Sequence, residues 1–174
     1  MLKQLFSRPR RVFAAIALMC AAMLAFGILY LQNVVGLEPC PMCIVQRYAL
    51  ILVGVFAALA AFSSSPAGWR LWGLLGVGMA GFGAFTAARQ SWLQLNPPEF
   101  ATCGRDLFGM IESFPLQRAI PMIFRGAGDC SEVDWTFLGG SIANWSLLWF
   151  VIFGAVILAV LLKLPRRAGG VMPS

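Results

Sequence analysis

VFAAIALMCAAMLAFGILYL, residues 12–31, decides the fold. It contains no charge, and its twenty residues match the roughly 20 that an α-helix needs to cross the hydrocarbon core of a bilayer. Three more such runs follow: IVQRYALILVGVFAALAAF at 44–62, WRLWGLLGVGMAGFGAFTAA at 69–88 and NWSLLWFVIFGAVILAVLLK at 144–163. The composition agrees. Of 174 residues, 60% are hydrophobic and 11% charged, and the mean hydropathy is +0.81. A soluble domain carries about 25% charged residues, and one this small has no interior large enough for so much apolar surface. The expectation is an all-α membrane protein: a four-transmembrane-helix bundle forming a single integral membrane domain over residues 1–174. The first run follows a basic start, as a secretory signal would. It is longer than the roughly 7–15 residues of a signal's apolar region and no A-x-A site closes it, so it reads as a retained helix.

The connections between these runs are unequal. Residues 63–68, SSSPAG, make a tight polar turn. Residues 32–43 make a short loop, and residues 89–143 a long one that holds most of the polar chemistry. Lys and Arg set the orientation, because they concentrate on the cytoplasmic side. Lys3, Arg8, Arg10 and Arg11 precede the first run, Arg70 follows the tight turn, and Lys163, Arg166 and Arg167 close the fourth. Four crossings put all of these on one side, which is expected to be the cytoplasm together with both termini. The opposite side carries Arg47, Arg89, Arg105, Arg118 and Arg125. It also carries every acid: Glu38, Glu99, Asp106, Glu112, Asp129, Glu132 and Asp134. Within the long loop, SFPLQRAIPMIFR at 113–125 reads either as a short amphipathic helix at the membrane interface or as a Pro-broken loop over the bundle. Gly73, Gly76, Gly78, Gly81 and Gly83 in the third run read as a close helix–helix packing surface.

The net charge of +6 flanks the apolar runs instead of forming a face, which argues against nucleic acid. The absence of His excludes mixed Cys/His zinc sites, His-based triads and haem held by two His. The chemistry therefore falls to cysteine. Cys20 lies mid-helix and reads as a small packing hydrophobe. The other four lie in the outward loops: Cys40 and Cys43 in Cys-Pro-Met-Cys, and Cys103 and Cys130 in the long loop. On an oxidising side, an even number implies pairing. Local pairing gives Cys40–Cys43 and Cys103–Cys130, and two other connectivities are open.

A disulfide across two residues closes too small a loop to stabilise much. A four-Cys metal site usually needs two close pairs, whereas Cys103 and Cys130 are far apart in sequence. A redox-active dithiol is the reading that remains strongest, since C-x-x-C motifs favour a thiolate and tune the reduction potential. Cys43 is expected just before the second helix, where the helix N-terminus stabilises negative charge. Arg47 is four residues on, on the same face. It can hold a thiolate or polarise a ligand carbonyl; alternatively it snorkels to the head groups. Thiol–disulfide exchange then gives a relay from an external thiol partner, through the loop cysteines and Cys40–Cys43, to an acceptor in the membrane. No nucleotide fingerprint or haem motif is present, and a lipid-soluble quinone reaches such a site without one.

The C-x-x-C before an Ile-x-x-Arg helix start at 44–47, the ARQSWLQL stretch at 88–95, Gly128-Asp129-Cys130 and WTFLGG at 135–140 together resemble the disulfide bond formation protein B (DsbB) family, in the same order over nearly the whole chain. The resemblance implies an inner-membrane thiol:quinone oxidoreductase that reoxidises the periplasmic thiol oxidase DsbA and passes the electrons to ubiquinone or menaquinone. The long and short loops are then periplasmic. Carried over by motif, Cys103 forms the mixed disulfide with DsbA, Cys130 is the resolving partner of Cys103, Cys40 receives electrons from the loop pair, and Cys43 reacts with the quinone as a thiolate beside Arg47. One departure stands out. Family members often have His in an Ala-Arg-His stretch near the quinone; here the stretch is Ala88-Arg89-Gln90. Gln90 donates hydrogen bonds but carries no proton or charge at neutral pH, so it transfers only as a quinone contact. Three alternatives stand beside this reading. One is a family relative serving a dedicated substrate oxidase. Another is a reductase of the vitamin K epoxide type, in which the loop pair precedes the C-x-x-C. The third is a non-catalytic or metal-handling membrane protein with structural disulfides.

Overall fold

The computed structural model describes residues 9–37, 39–96 and 135–164. Helix α1, Pro9–Ala25, runs without a break into a π-helical segment, Phe26–Gln32. Then come α2, Pro41–Phe62, and α3, Pro66–Leu95. A two-stranded hairpin, β1 (Thr136–Phe137) and β2 (Gly140–Ser141), leads into α4, Ile142–Lys163. All four helical stretches are long and apolar enough to span a membrane.

The helix starts follow local chemistry. Pro at the first helical position is already set at a helical φ and has no N–H to leave unpaired; Pro41 and Pro66 take that place in α2 and α3. Ser65 Oγ accepts from Gly68 N at 3.1 Å, and Ser141 Oγ accepts from Asn144 N at 3.4 Å, capping α3 and α4. In the hairpin, Thr136 pairs with Ser141 and Phe137 with Gly140. Its two turn residues, Leu138 and Gly139, both have positive φ, at 49° and 80°. Tight two-residue hairpins require that conformation.

Sequence-adjacent helices pack antiparallel, α1 on α2, α2 on α3 and α3 on α4, whereas α1 and α4 meet only slightly. The core joins Phe13, Ile16 and Cys20 of α1, Ala49, Val53 and Ala57 of α2, Ala80 of α3 and Phe150, Phe153 and Ile157 of α4. Cys20 is buried in this core, its Cβ beside Gly54, as a packing residue. Many large apolar side chains stay outside, among them Leu18, Phe62, Leu74, Phe85 and Val151, as a lipid-facing surface requires.

The glycine surface of α3 divides in two. Gly73 meets Leu161 and Gly83 meets the Phe150 ring, with no room for a Cβ, and Gly76 touches Ile157. Gly78 and Gly81, expected to pack likewise, face open space. With Ala80 and Ala87, the packed glycines form one buried small-residue stripe at helical spacing; Gly78 and Gly81 fall off it by helical geometry.

The helix ends differ from the hydropathy runs where polar residues remain helical. The third helix continues past Ala88 to Leu95, so Arg89 and Gln90 lie in α3 and not in a loop. At 30 residues it is about 45 Å long, against roughly 30 Å of hydrocarbon. The second helix starts at Pro41 instead of residue 44, and the fourth at Ile142 instead of 144. The expected interfacial segment at 113–125 and the loop cysteines Cys103 and Cys130 lie outside the described residues.

One end of the bundle brings together the start of α2, the end of α3, the π segment and the hairpin. Ser141 Oγ donates to Gln94 Oε1 at 2.7 Å there. At the other end, Arg10 Nε donates to the Ala61 carbonyl at 2.9 Å.

Candidate redox site between α1, α2 and α4

Cys40 is the residue that caps α2. Its Sγ accepts from Cys43 N at 3.3 Å, and Pro41 follows at the first helical position. Cys43 therefore does not precede the helix, as expected, but lies inside its first turn. The capped turn folds the two side chains toward each other, and the Cys40 thiol donates to Cys43 Sγ at 2.8 Å. Cys40 packs with Met42 and Leu93 and is buried, whereas Cys43 is partly open.

From α3, Gln90 reaches across to this pair. Its Nε2 donates to Cys40 Sγ at 3.4 Å and to Cys43 Sγ at 3.3 Å, and its Oε1 accepts from the Cys43 thiol at 3.7 Å. A primary amide has two N–H donors and a carbonyl acceptor, so one side chain serves both sulfurs and meets Cys43 in donor and acceptor roles. Gln90 Oε1 also accepts from Gln46 Nε2 at 2.6 Å. Both glutamines are almost fully buried, at 4% and 5% exposure.

Arg47 lies one turn beyond Cys43 and points along the membrane edge of α1. Its Nη1 donates to Gln32 Oε1 at 2.8 Å and its Nη2 to the Gly27 carbonyl at 3.4 Å. Both partners belong to the π segment. A π turn carries an extra residue per turn and recurs at functional sites. Here it holds Gly27 and Gln32 where one guanidinium spans both.

Because α1 and α4 scarcely touch, a cleft of about 770 Å³ opens between them above α2. Cys43, Gln46 and Arg47 supply its polar floor. Met23, Phe26 and Tyr30 form one wall, and Trp145, Trp149 and Phe150 the other. Phe26 and Tyr30 stack at 5.2 Å. At the mouth, Trp135 and Phe137 stack at 5.9 Å, and Trp145 Nε1 donates to the Phe137 carbonyl at 3.0 Å. Of the residues singled out in the sequence, Cys40, Cys43 and Gln90 form one hydrogen-bonded group, and Arg47 shares the cleft with Cys43. Gln46, Gln32 and the aromatic walls went unnoticed. A Gln three residues after Cys43, on the same face of the helix, was the available signal for Gln46.

The arrangement is that of a dithiol at the floor of an apolar cleft, and the comparisons with known proteins agree with it. The model of the family "Disulfide bond formation protein DsbB" matches residues 9–160. A disulfide bond formation protein B of Paracidovorax citrulli is 65% identical over 93% of this chain and 92% of its own length. The protein of that name from Acidovorax sp. (strain JS42) is 62% identical over 97% of this chain and 96% of its own, and that of Polaromonas naphthalenivorans 60% over 96% and 99%. With four membrane-spanning helices, a paired C-x-x-C on the second and this likeness over nearly its whole length, the chain is a multi-pass membrane protein belonging to the DsbB family of disulfide bond formation proteins.

Proposed function

We propose that this protein reoxidises a periplasmic, thioredoxin-fold DsbA-like thiol oxidase by disulfide exchange and passes the two electrons to a membrane quinone, ubiquinone or menaquinone. The observation that carries the reading is Cys43 at the floor of an apolar cleft, with the Cys40 thiol 2.8 Å from its sulfur. The cleft fits the acceptor's chemistry. Its walls suit a flat ring and an isoprenoid tail, and Arg47 supplies N–H donors for a carbonyl oxygen. A quinone held there by Arg47, Cys43 and the aromatic walls would supply a two-electron, two-proton acceptor for the Cys40 and Cys43 dithiol.

The protein's residues then divide the work. A thiolate of the partner attacks Cys103, the Cys103–Cys130 bond breaks, and Cys130 leaves as thiolate. The partner's second thiol releases Cys103 and closes the partner's own disulfide. The loop dithiol passes its electron pair to Cys40–Cys43 by attack at Cys40, with Cys43 as the leaving thiolate. The Gln90 donor on Cys43 Sγ stabilises negative sulfur at that step. In this reading Gln90 performs hydrogen bonding only, and carries no proton to the acceptor. The setting is the bacterial inner membrane. Arg10, Arg70 and Lys163 mark the cytoplasmic end with both termini, and the cysteine loops are periplasmic.

The test mixes the purified protein with quinone and a reduced thioredoxin-fold oxidase, and follows quinone absorbance and thiol count. Equal loss of both, abolished by Cys43→Ser, is the expected result. Thiol oxidation without quinone loss would leave the relay but assign another acceptor. No change in either would return the four cysteines to a structural role.

A further inference from the structure

We propose that Gln46 is a positioning residue for the cysteine pair: its amide fixes the rotation of the Gln90 amide so that Gln90 presents N–H groups to both sulfurs. The inference rests on Cys40–Cys43 being a reversible redox pair, and extends that reading to a residue outside the C-x-x-C.

The geometry is specific. A Gln side chain can place its amide in two orientations that differ by exchange of O and N, with nearly the same shape. Only one gives donors to sulfur. At Gln90 that orientation is set from behind: Gln46 Nε2 donates to Gln90 Oε1 at 2.6 Å, the shortest bond in the group, while the Cys43 thiol reaches the same oxygen only at 3.7 Å, and Nε2 is left directed at Cys40 and Cys43 at 3.4 and 3.3 Å. Reversal would set the Gln90 NH₂ against the Gln46 NH₂ and aim a carbonyl at the sulfurs. Burial sharpens the preference, because both glutamines are at least 95% removed from solvent and a lost partner is costly there. Two amides in an apolar helix–helix contact are costly unless paired, and here the pairing runs from α2 through α3 back to the reactive sulfurs of α2. Gln46 makes no sulfur contact itself, so it acts through Gln90.

The consequence falls on the dithiol. Donors to sulfur favour the reduced form, in which a thiolate accepts them, over the disulfide, whose sulfurs accept weakly. A pair whose reduced form is stabilised is a stronger oxidant. Gln46 therefore keeps Cys40–Cys43 oxidising without touching it.

The experiment equilibrates the full-length protein in detergent with dithiothreitol or lipoic acid redox buffers. The oxidised fraction of Cys40–Cys43 is read by differential alkylation and peptide mass, a readout that needs neither quinone nor partner. Gln46→Met keeps length and bulk but removes the donor. The expected shift is about tenfold in the exchange equilibrium toward the disulfide, or about 30 mV more negative for this two-electron couple. Gln90→Met is expected to shift at least as far, and the double variant no further than Gln90→Met alone. Gln46→Asn, which withdraws the amide by one methylene, gives the same direction and serves if Gln46→Met does not assemble. A potential unchanged within twofold in both Gln46 variants, or shifts that simply add in the double variant, overturns the proposal. Failure of the unsubstituted pair to oxidise and reduce reversibly would instead sink the functional reading beneath it.

Discussion

At the scale of single residues, Arg47 offers the sharpest separation of roles. Its guanidinium borders the cleft and is held by Gln32 and the Gly27 carbonyl, while the sulfurs are served by Gln90. Arg47→Met is expected to raise the KM for quinone by about tenfold, the loss of one charge-assisted hydrogen bond, while disulfide exchange with the partner oxidase stays within about threefold. Steady-state quinone titration and a single-turnover exchange assay separate the two. Cys40, Cys43 and Arg47 stood out in the sequence because such side chains are scarce at the start of an apolar helix. Gln46 was not, because a lone amide beside an arginine reads as the wet end of a span until the opposite helix is in place.

At the scale of elements, α3 is where sequence and structure part most. Its apolar stretch ends near Ala88, and the polar residues Arg89, Gln90 and Ser91 break the hydropathy pattern without breaking the helix. Hydropathy measures the solvent and not the backbone, so the turns that carry Gln90 to the sulfurs were assigned to a loop. The π segment was equally hidden, since FGILYLQ has no composition that distinguishes it from α-helix. The glycine stripe makes a paired prediction. Gly83→Ala drives a methyl into the Phe150 ring and is expected to destabilise by about 1–3 kcal/mol. Gly78→Ala, which meets nothing within 4 Å, is expected to be neutral or to stabilise by up to about 1 kcal/mol. Thermal unfolding in one detergent compares them directly.

At the scale of the whole molecule, four spans were readable from apolar run length alone because lipid imposes a length that water does not. The open seam between α1 and α4 was not readable, because it depends on which helices decline to pack. Orientation is testable at this scale. A fluorescent protein fused after Lys163 is expected to fluoresce, and alkaline phosphatase fused after Asn96 to be active; the reverse pattern would invert the assignment made from the basic residues. One local feature reaches this scale as well. The atom that ends α2 is the sulfur of Cys40, which accepts the Cys43 amide proton. A disulfide sulfur is a weaker acceptor than a thiol or thiolate, so that cap is expected to loosen when Cys40 forms a disulfide. The first turn should then exchange its amide hydrogens with deuterium faster in a trapped mixed disulfide at Cys40 than in the resting protein, so that isotope uptake at Cys43 becomes a clock for the passage of electrons.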